Sequence, residues 1–406
     1  MDVAKLSPLT ITWPSIMQIA PVRRAQGFGV ATLALAFLAG CSTPSQPKPD
    51  EAKVRQFAGQ GYLTDEQYGI ATSFATWTTA KGSVDVALTI PARAGPFPLV
   101  VYLPSLGETR LAGEAWRKAW AQGGYAVLAF QPLAEDLKAW TAASARSGDF
   151  RPLARERYAG PAMSARLEAL AGVLAELIRR QAQKEAALER IDLTHVAVAG
   201  FDLGAYTAMA IAGEEVPGSA RPVLPLPVAA VIALSPYADF SGPSFATRYG
   251  AIRGPVLCVS GDNDADALGL VSSPSLRKAP FQYMPAGDKY LVTMANLQHS
   301  ALSGGNLDPV PPEEGRSVET GDASERPQGS GRRGGKHKSA AAGAGMRSAL
   351  SGAPPSPTAQ AIGVAAVQGI AVAFLDAYLK QDPIAREWLE KDAARWLRNG
   401  GEIKRK

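Results

Sequence analysis

The sequence has only two cysteines, Cys41 and Cys258, and three histidines among its 406 residues. Two cysteines cannot build the disulfide framework of a small secreted domain. The net charge is also small, because 42 Lys and Arg residues nearly balance 37 Asp and Glu residues, which leaves +5. The absence of a long basic stripe with interleaved aromatic residues argues against nucleic-acid binding. The 46% hydrophobic content excludes a wholly disordered, collagen-like or coiled-coil chain.

Residues 1–40 carry the features of an export signal. Arg23 and Arg24 precede a short apolar run over residues 27–39, and small residues come before Cys41. A membrane span would need about 20 apolar residues. An ordinary signal peptide and a buried hydrophobic helix are the alternatives, and the position of Cys41 argues against both. Met17 begins a signal of normal length, so residues 1–16 are expected to be a misassigned start.

The stretch Leu38-Ala39-Gly40-Cys41 resembles the lipobox of bacterial lipoproteins. The resemblance implies that Cys41 is acylated and holds the protein on a lipid bilayer in the bacterial cell envelope. Ser42 resembles the residue that directs such proteins to the outer membrane, facing the periplasm. Residues 41–60 are then expected to comprise the lipidated cysteine and a flexible tether, rich in Pro, Ser and Lys.

The body of the chain, residues 61–302, alternates strand and helix patterns. Residues 72–79 and 84–90 predict an antiparallel hairpin, and helical spacing predicts helices over residues 112–122, 162–187 and 205–213. Short apolar runs predict buried strands at residues 99–103, 126–130, 195–199, 229–234, 255–260 and 281–284. This alternation indicates an α/β domain with a mostly parallel central sheet and helices on both faces.

Two further segments follow the body. Residues 303–357 are rich in Gly, Pro and Ser and contain no aromatic residue, so we expect a disordered insert. The basic group at residues 332–338 is expected to be solvated, with contact to anionic lipid or polysaccharide as the alternative. Residues 358–406 are expected to complete the domain, with a buried packing helix over residues 358–378 rather than a membrane span, and with a final surface helix after Asp382.

The pentapeptide Gly200-Phe201-Asp202-Leu203-Gly204 lies between a predicted strand and a predicted helix. This is the context of a nucleophile elbow, in which a tight turn holds the central side chain above the sheet. That side chain is Asp202 rather than serine. Asp264 follows the strand at residues 255–260, and His299 follows the next predicted strand. The loop after residues 99–103 is the expected source of an oxyanion-hole amide at Leu106, with the amide of Leu203 as the second.

In this chain order the residues resemble the α/β-hydrolase family, in particular its dienelactone-hydrolase-like and platelet-activating-factor-acetylhydrolase-like branch. The resemblance covers about residues 68–392 and implies hydrolysis of esters or related bonds of a small-molecule substrate, with no metal and no organic cofactor. It places Asp202 at the nucleophile position, Asp264 at the acid position and His299 at the base position. Residues 235–254 are too short for a helical cap domain, so none is expected.

Three functions remain open for such a site. A carboxylate nucleophile suits displacement at saturated carbon, as in the haloalkane dehalogenases and epoxide hydrolases that share this fold. Alternatively, the fold has lost turnover and binds a ligand or envelope component, with Asp202 and His299 forming an ion pair. A third possibility is another nucleophile, Ser105 or Ser235, served by the same histidine.

Overall fold

The computed structural model describes residues 48–305 and 355–406, except residues 222 and 267. The predicted export signal, Cys41 and nearly all of the predicted insert lie outside the described residues. The helices are α1 (Glu51–Ala58), α2 (Glu114–Gln122), α3 (Ala134–Leu137), α4 (Ala143–Arg146), α5 (Phe150–Arg157), α6 (Gly160–Ala182), α7 (Leu203–Ala212), α8 (Phe245–Tyr249), α9 (Ala279–Tyr283), α10 (His299–Leu302), α11 (Pro357–Leu379), α12 (Pro383–Lys391) and α13 (Ala393–Leu397).

One mixed sheet forms the centre of the domain. Its strands are β1 (Ile70–Thr79), β2 (Gly82–Pro91), β3 (Phe97–Leu103), β4 (Ala126–Phe130), β5 (Ile191–Phe201), β6 (Val228–Leu234), β7 (Val256–Asn263), β8 (Lys289–Gln298) and β9 (Gly401–Arg405). The spatial order is β1-β2-β4-β3-β5-β6-β7-β8-β9. Strands β3 to β8 are parallel, whereas the pairs β1–β2, β2–β4 and β8–β9 are antiparallel. The predicted α/β class and mostly parallel sheet are confirmed.

Apolar helices cover both faces of this sheet. On one face α2 and α11 bury Trp116, Trp120 and Phe374, and on the other α6 and α7 bury Leu174 and Met209. The near-continuous apolar sequences of the inner strands follow from this double coverage, because both faces of each strand lie in the core. Parallel strands also end at one edge of the sheet, so the loops after β3, β5, β6, β7 and β8 are neighbours.

Helix α11 is long and apolar enough to cross a membrane, but 72% of its most apolar 18-residue window is buried against the rest of the protein. Ser356 caps it by accepting a hydrogen bond from the N–H of Ala359, and Pro357 occupies its first turn. Phe374 packs against Tyr290 of β8 and Tyr378. The predicted buried packing helix is therefore confirmed.

The fold corrects three sequence predictions. Residues 281–284 are not a strand: α9 covers Ala279–Tyr283 with Pro280 in its first turn, and the strand is β8. Residues 51–58, predicted as part of a tether, form α1, where Phe57 stacks on Trp396 of α13 with ring centroids 4.7 Å apart. The chain end predicted as a single surface helix forms α12, α13 and the edge strand β9.

Replacing Phe374 with alanine tests the packing of α11. Phe374 is fully buried, so we expect Phe374→Ala to lower the free energy of unfolding by about 3–5 kcal/mol. The matched control is Ile384→Ala in α12, whose side chain is 73% exposed and whose loss should change stability by less than about 0.5 kcal/mol. Urea unfolding followed by circular dichroism measures both. Equal stabilities of the two variants would contradict this packing.

Candidate functional site

A strained turn presents Asp202 between β5 and α7. Its backbone has φ 50° and ψ −104°, a region that non-glycine residues rarely adopt outside functional sites. The flanking glycines make this turn possible. A Cβ on Gly200 would lie 2.2 Å from the backbone of Gly204, and one on Gly204 would lie 1.9 Å from the carbonyl oxygen of Leu103. The tight bend predicted from the pentapeptide is present, and it seats α7 directly against the end of β3.

Two hydroxyl groups hold the carboxylate of Asp202. Ser105 Oγ donates to Asp202 Oδ2 at 2.8 Å, and Tyr158 Oη donates to the same oxygen at 2.6 Å. Burial and the neighbouring charge of Asp202 raise the pKa of Tyr158 well above its ordinary value, so the phenol remains a donor. The residue is 5% exposed. Asp202 therefore stands at the elbow as predicted, with one carboxylate oxygen already engaged.

Asp264 and His299 form the second part of the site. Asp264 follows β7, His299 opens α10 directly after β8, and His299 Nδ1 lies 2.6 Å from Asp264 Oδ1. Ser235 Oγ and Ser260 Oγ donate to the two oxygens of Asp264 at 2.7 and 2.9 Å. Burial alone would raise the pKa of Asp264, but the hydrogen bond from His299 and the charge of Arg277 hold it below its usual value. Because Asp264 is ionised, Nδ1 carries the proton and Nε2 is the acceptor atom of the imidazole.

Arg277 lies between the two aspartates. Its side chain is completely buried, with Nε 3.2 Å from Asp264 Oδ1 and Nη1 3.8 Å from Asp202 Oδ1. Nη1 also donates to the carbonyl oxygen of Ser235 at 2.9 Å. One guanidinium is thus the shared counter-ion of both carboxylates, and it fixes the loop after β6 as well. Its Nη2 is buried without a hydrogen-bond partner among the described residues.

Asp202 and His299 are neighbours without being an ion pair. His299 packs on Phe201, the residue before the elbow, with ring centroids 4.8 Å apart. Within residues 48–305 and 355–406, the ion-pair partner of His299 is Asp264 and that of Asp202 is Arg277. The ion pair between Asp202 and His299 expected for a site without turnover is therefore wrong.

The two amides predicted for an oxyanion hole belong to the elbow and to the neighbouring loop. Leu203 begins α7, and Leu106 lies in the loop after β3, which contacts α7 through Gly204. In the described part of the chain, neither N–H donates to another group. The positive end of the α7 dipole adds to the attraction for an anion here. The arrangement suits an oxygen atom that gains negative charge beside residue 202.

The serines considered as alternative nucleophiles have other partners. Ser105 donates to Asp202, and Ser235 Oγ lies beside Asp264 and 3.0 Å from His299 Nδ1. A nucleophile activated by this histidine has to face Nε2, because Nδ1 is occupied by Asp264. Ser235 is on the wrong side of the imidazole, and its hydroxyl instead helps to fix the acid. The geometry therefore disfavours both serines as nucleophiles.

A third carboxyl group, Glu108, lies in the loop after β3. Its Oε2 accepts the N–H of Ser105 at 2.8 Å. Burial and the charge of Asp202 raise the pKa of Glu108 to about 7, against the lowering effects of the Ser105 N–H and His299. Gln131 Nε2 fixes this loop by donating to the carbonyl oxygens of Ser105 and Glu108 at 2.9 and 3.2 Å.

Helix α10, which carries His299, is clamped at its far end. Trp116 Nε1 of α2 donates to the carbonyl oxygen of Leu302 at 3.0 Å, and the N–H of Ala115 donates to that of Gly304 at 2.9 Å. Asp264 thus fixes the imidazole of His299, and α2 fixes the backbone of the helix that carries it.

The segment between β4 and α6 covers the site. It contains α3, α4 and α5 and supplies Tyr158, whereas the segment between β6 and β7 contains only the short helix α8. A cavity of about 540 Å³ reaches Tyr158 and is also bordered by Arg151, Arg155 and Tyr237. Tyr158 therefore separates this cavity from the carboxylate of Asp202. Across the described residues, no group of three or more His, Cys, Asp or Glu side chains could hold a metal ion.

No protein-family model and no curated protein sequence matches the chain. The site therefore has to be interpreted from its own geometry. Sequence reasoning brought together Asp202, Asp264, His299, Leu106 and Leu203. It missed the roles of Arg277, Tyr158 and Glu108, since no local pattern distinguishes these residues from surface residues of the same type.

Removing the guanidinium tests its place between the aspartates. Breaking a buried ion pair leaves uncompensated charge, so we expect Arg277→Met to lower the free energy of unfolding by about 3–5 kcal/mol at neutral pH. The matched control is Lys278→Met, because Lys278 lies next in the chain and forms only a partly exposed pair with Asp262. It should cost less than about 1 kcal/mol. If denaturant titration gave both variants the same stability, Arg277 would not hold the site together.

Proposed function

We propose that this chain is a hydrolase of the α/β-hydrolase fold, acting on small ester-like or otherwise activated substrates through Asp202, His299 and Asp264. The observation that carries the proposal is the coexistence of two features at one edge of the sheet. A carboxylate stands on a strained turn in front of a helix, and a histidine beside it is oriented by a buried, ionised aspartate. The chain order of elbow, acid and histidine agrees with the resemblance seen in the sequence.

The chemistry that fits a carboxylate at this position is displacement at saturated carbon. Asp202 Oδ1, which accepts no hydroxyl hydrogen bond from the residues that the structure describes, forms the new C–O bond while the leaving group departs with its electron pair. His299 Nε2 then takes a proton from water, and the water oxygen adds to Cγ of the esterified Asp202. The negative charge that develops on Oδ2 is stabilised by the hydroxyl groups of Ser105 and Tyr158, which already donate to this oxygen, with the N–H groups of Leu106 and Leu203 as further proposed donors. Collapse releases the product alcohol, protonated by His299, and restores the carboxyl group.

Isotope transfer tests the covalent role of Asp202. In a single turnover in ¹⁸O-water, we expect one labelled oxygen in the peptide that contains Asp202, measured by mass spectrometry. Asp202→Asn should reduce kcat by about 10⁶-fold, the loss seen when a nucleophile of this kind of site is removed. Asp192→Asn is the matched control, because Asp192 lies on the same strand at its opposite end and pairs with His195. Turnover without labelling of Asp202 would contradict the covalent role.

A second candidate function is ligand binding without turnover. The observation in its favour is that Asp202 is 5% exposed and already accepts two hydroxyl groups. The variant Asp202→Ser separates the two functions when it is assayed with the parent on aryl esters, lactones, epoxides and haloalkanes. Turnover by the parent supports the hydrolase. Esterase activity only in the variant indicates an esterase scaffold that has lost turnover, and inactivity of both favours binding.

We further propose that the protein is a lipoprotein of the bacterial cell envelope, anchored to the outer membrane through Cys41. The proposal rests on the lipobox-like sequence before Cys41, which lies outside the described residues.

The variant Cys41→Ser tests this anchor in a bacterial host. We expect the parent to incorporate radiolabelled palmitate and to sediment with membranes, and the variant to do neither, because the acylated sulfur is gone. Cys258→Ser is the matched control, since Cys258 is buried in β7 and cannot meet a lipid. Membrane association of Cys41→Ser equal to that of the parent would exclude lipidation at this residue as the anchor.

A further inference from the structure

The site contains more acidic groups than permanent cations. Asp202, Asp264 and Glu108 all border it. In the described part of the chain, the guanidinium within 4 Å of these carboxyl groups is that of Arg277, which pairs with the two aspartates and not with Glu108. Ser105 links Glu108 to Asp202, because the N–H of Ser105 donates to Glu108 and its hydroxyl donates to Asp202. The charges of Asp202 and Glu108 repel each other, and among the described residues no Lys or Arg side chain pairs with Glu108.

We propose that Glu108 is a third carboxyl group of the active site, which holds a proton in the resting protein and donates it to a leaving oxygen atom. The proposal rests on the hydrolase function proposed above. It narrows the substrate class to molecules whose leaving oxygen needs a proton, such as a strained cyclic ether, rather than a halide. The charged and titratable groups that face Glu108 are Asp202 on the elbow, His299 on α10 and Tyr102 on β3.

The proton balance closes with an epoxide as substrate. Asp202 Oδ1 bonds to a ring carbon, the ring C–O bond breaks, and its electron pair takes the proton of Glu108. His299 takes one proton from water while the water oxygen adds to Cγ of Asp202. The ester bond to the product breaks, and the departing alkoxide takes the proton from His299. Asp202 is left as the acid, and its proton passes to the ionised Glu108 next to Ser105. The net reaction is epoxide plus water to diol.

The loop geometry supports this role. Gln131 donates to the carbonyl oxygens of both Ser105 and Glu108 and so fixes the backbone of the loop, while the Ser105 N–H donates to the Glu108 carboxyl group itself. The same loop supplies the N–H of Leu106, so the proposed acid and an oxyanion donor are fixed together. With its pKa raised to about 7, Glu108 holds the proton in about half of the molecules at pH 7 and in most of them at pH 6. Since the protonated form of Glu108 is the active one, the rate with an epoxide should fall as pH rises through about 7.

The test compares leaving groups in the full-length protein. We expect Glu108→Gln to reduce kcat/KM for styrene oxide by about 10²–10³-fold, the usual effect of a general acid, and to abolish the fall in rate above pH 7. With 1-bromobutane, whose bromide needs no proton, the same variant should stay within about threefold of the parent. A merely structural role would lower both rates together. Glu114→Gln is the matched control, because Glu114 pairs with Lys118 on the surface of α2.

Infrared difference spectra of the parent minus Glu108→Gln measure the protonated carboxyl band directly, without substrate. We expect the band at pH 6 and its loss by pH 8. An ionised Glu108 at pH 6 would overturn the inference even in an active hydrolase, and so would equal losses of rate on the two substrates. Failure of the parent to turn over either compound would contradict the proposed hydrolase chemistry and with it the acid role, while the spectra would still decide whether Glu108 holds the proton.

Discussion

The buried guanidinium of Arg277 is the charge on which the rest of the site depends. Burial alone would favour the protonated form of Asp264, because a water-poor interior disfavours an ionised carboxylate. The hydrogen bond from His299 Nδ1 and the charge of Arg277 together keep Asp264 ionised. That hydrogen bond fixes the tautomer of the imidazole and leaves Nε2 to accept a proton. The same cation lies near Asp202, so the elbow and the acid–histidine pair form one electrostatic unit.

Much of the sheet was predictable because its signals are local. The hairpin β1–β2 and the strands β3 to β7 have β-branched or continuously apolar sequences bounded by turns. The error at α9 has a physical reason. Four residues with three large apolar or aromatic side chains fit a short helix as well as a strand, and here Phe281 packs into the core from a helix. Strand β9 was missed since Gly401–Arg405 is short and charged, and it exists by pairing with β8.

In the candidate site, too, the sequence reveals the residues that form local patterns and not those placed by tertiary contacts. Glycines at fixed spacing around Asp202, and an acid and a histidine after successive strands, are patterns that a sequence displays by itself. The role of Arg277 does not follow from such a pattern. Arg277 and Lys278 are adjacent basic residues, and nothing in the sequence shows that the first is buried and the second partly exposed. Tyr158 comes from a segment rich in Arg and Ala, whose path over the sheet depends on tertiary contacts. What could not be predicted is therefore the set of groups that neutralise and cover the carboxylates.

The contact between Trp116 and Leu302 has a consequence for how such a chain can diversify. Residues 306–354 follow this contact almost at once, only a few positions after the imidazole. Because α2 fixes the end of α10, we expect a change in the number of residues between α10 and α11 to leave His299 in place. The entropic penalty of a longer connection rises only slowly with its length. Evolution can therefore insert and remodel sequence next to the most sensitive part of the molecule at little risk to its geometry.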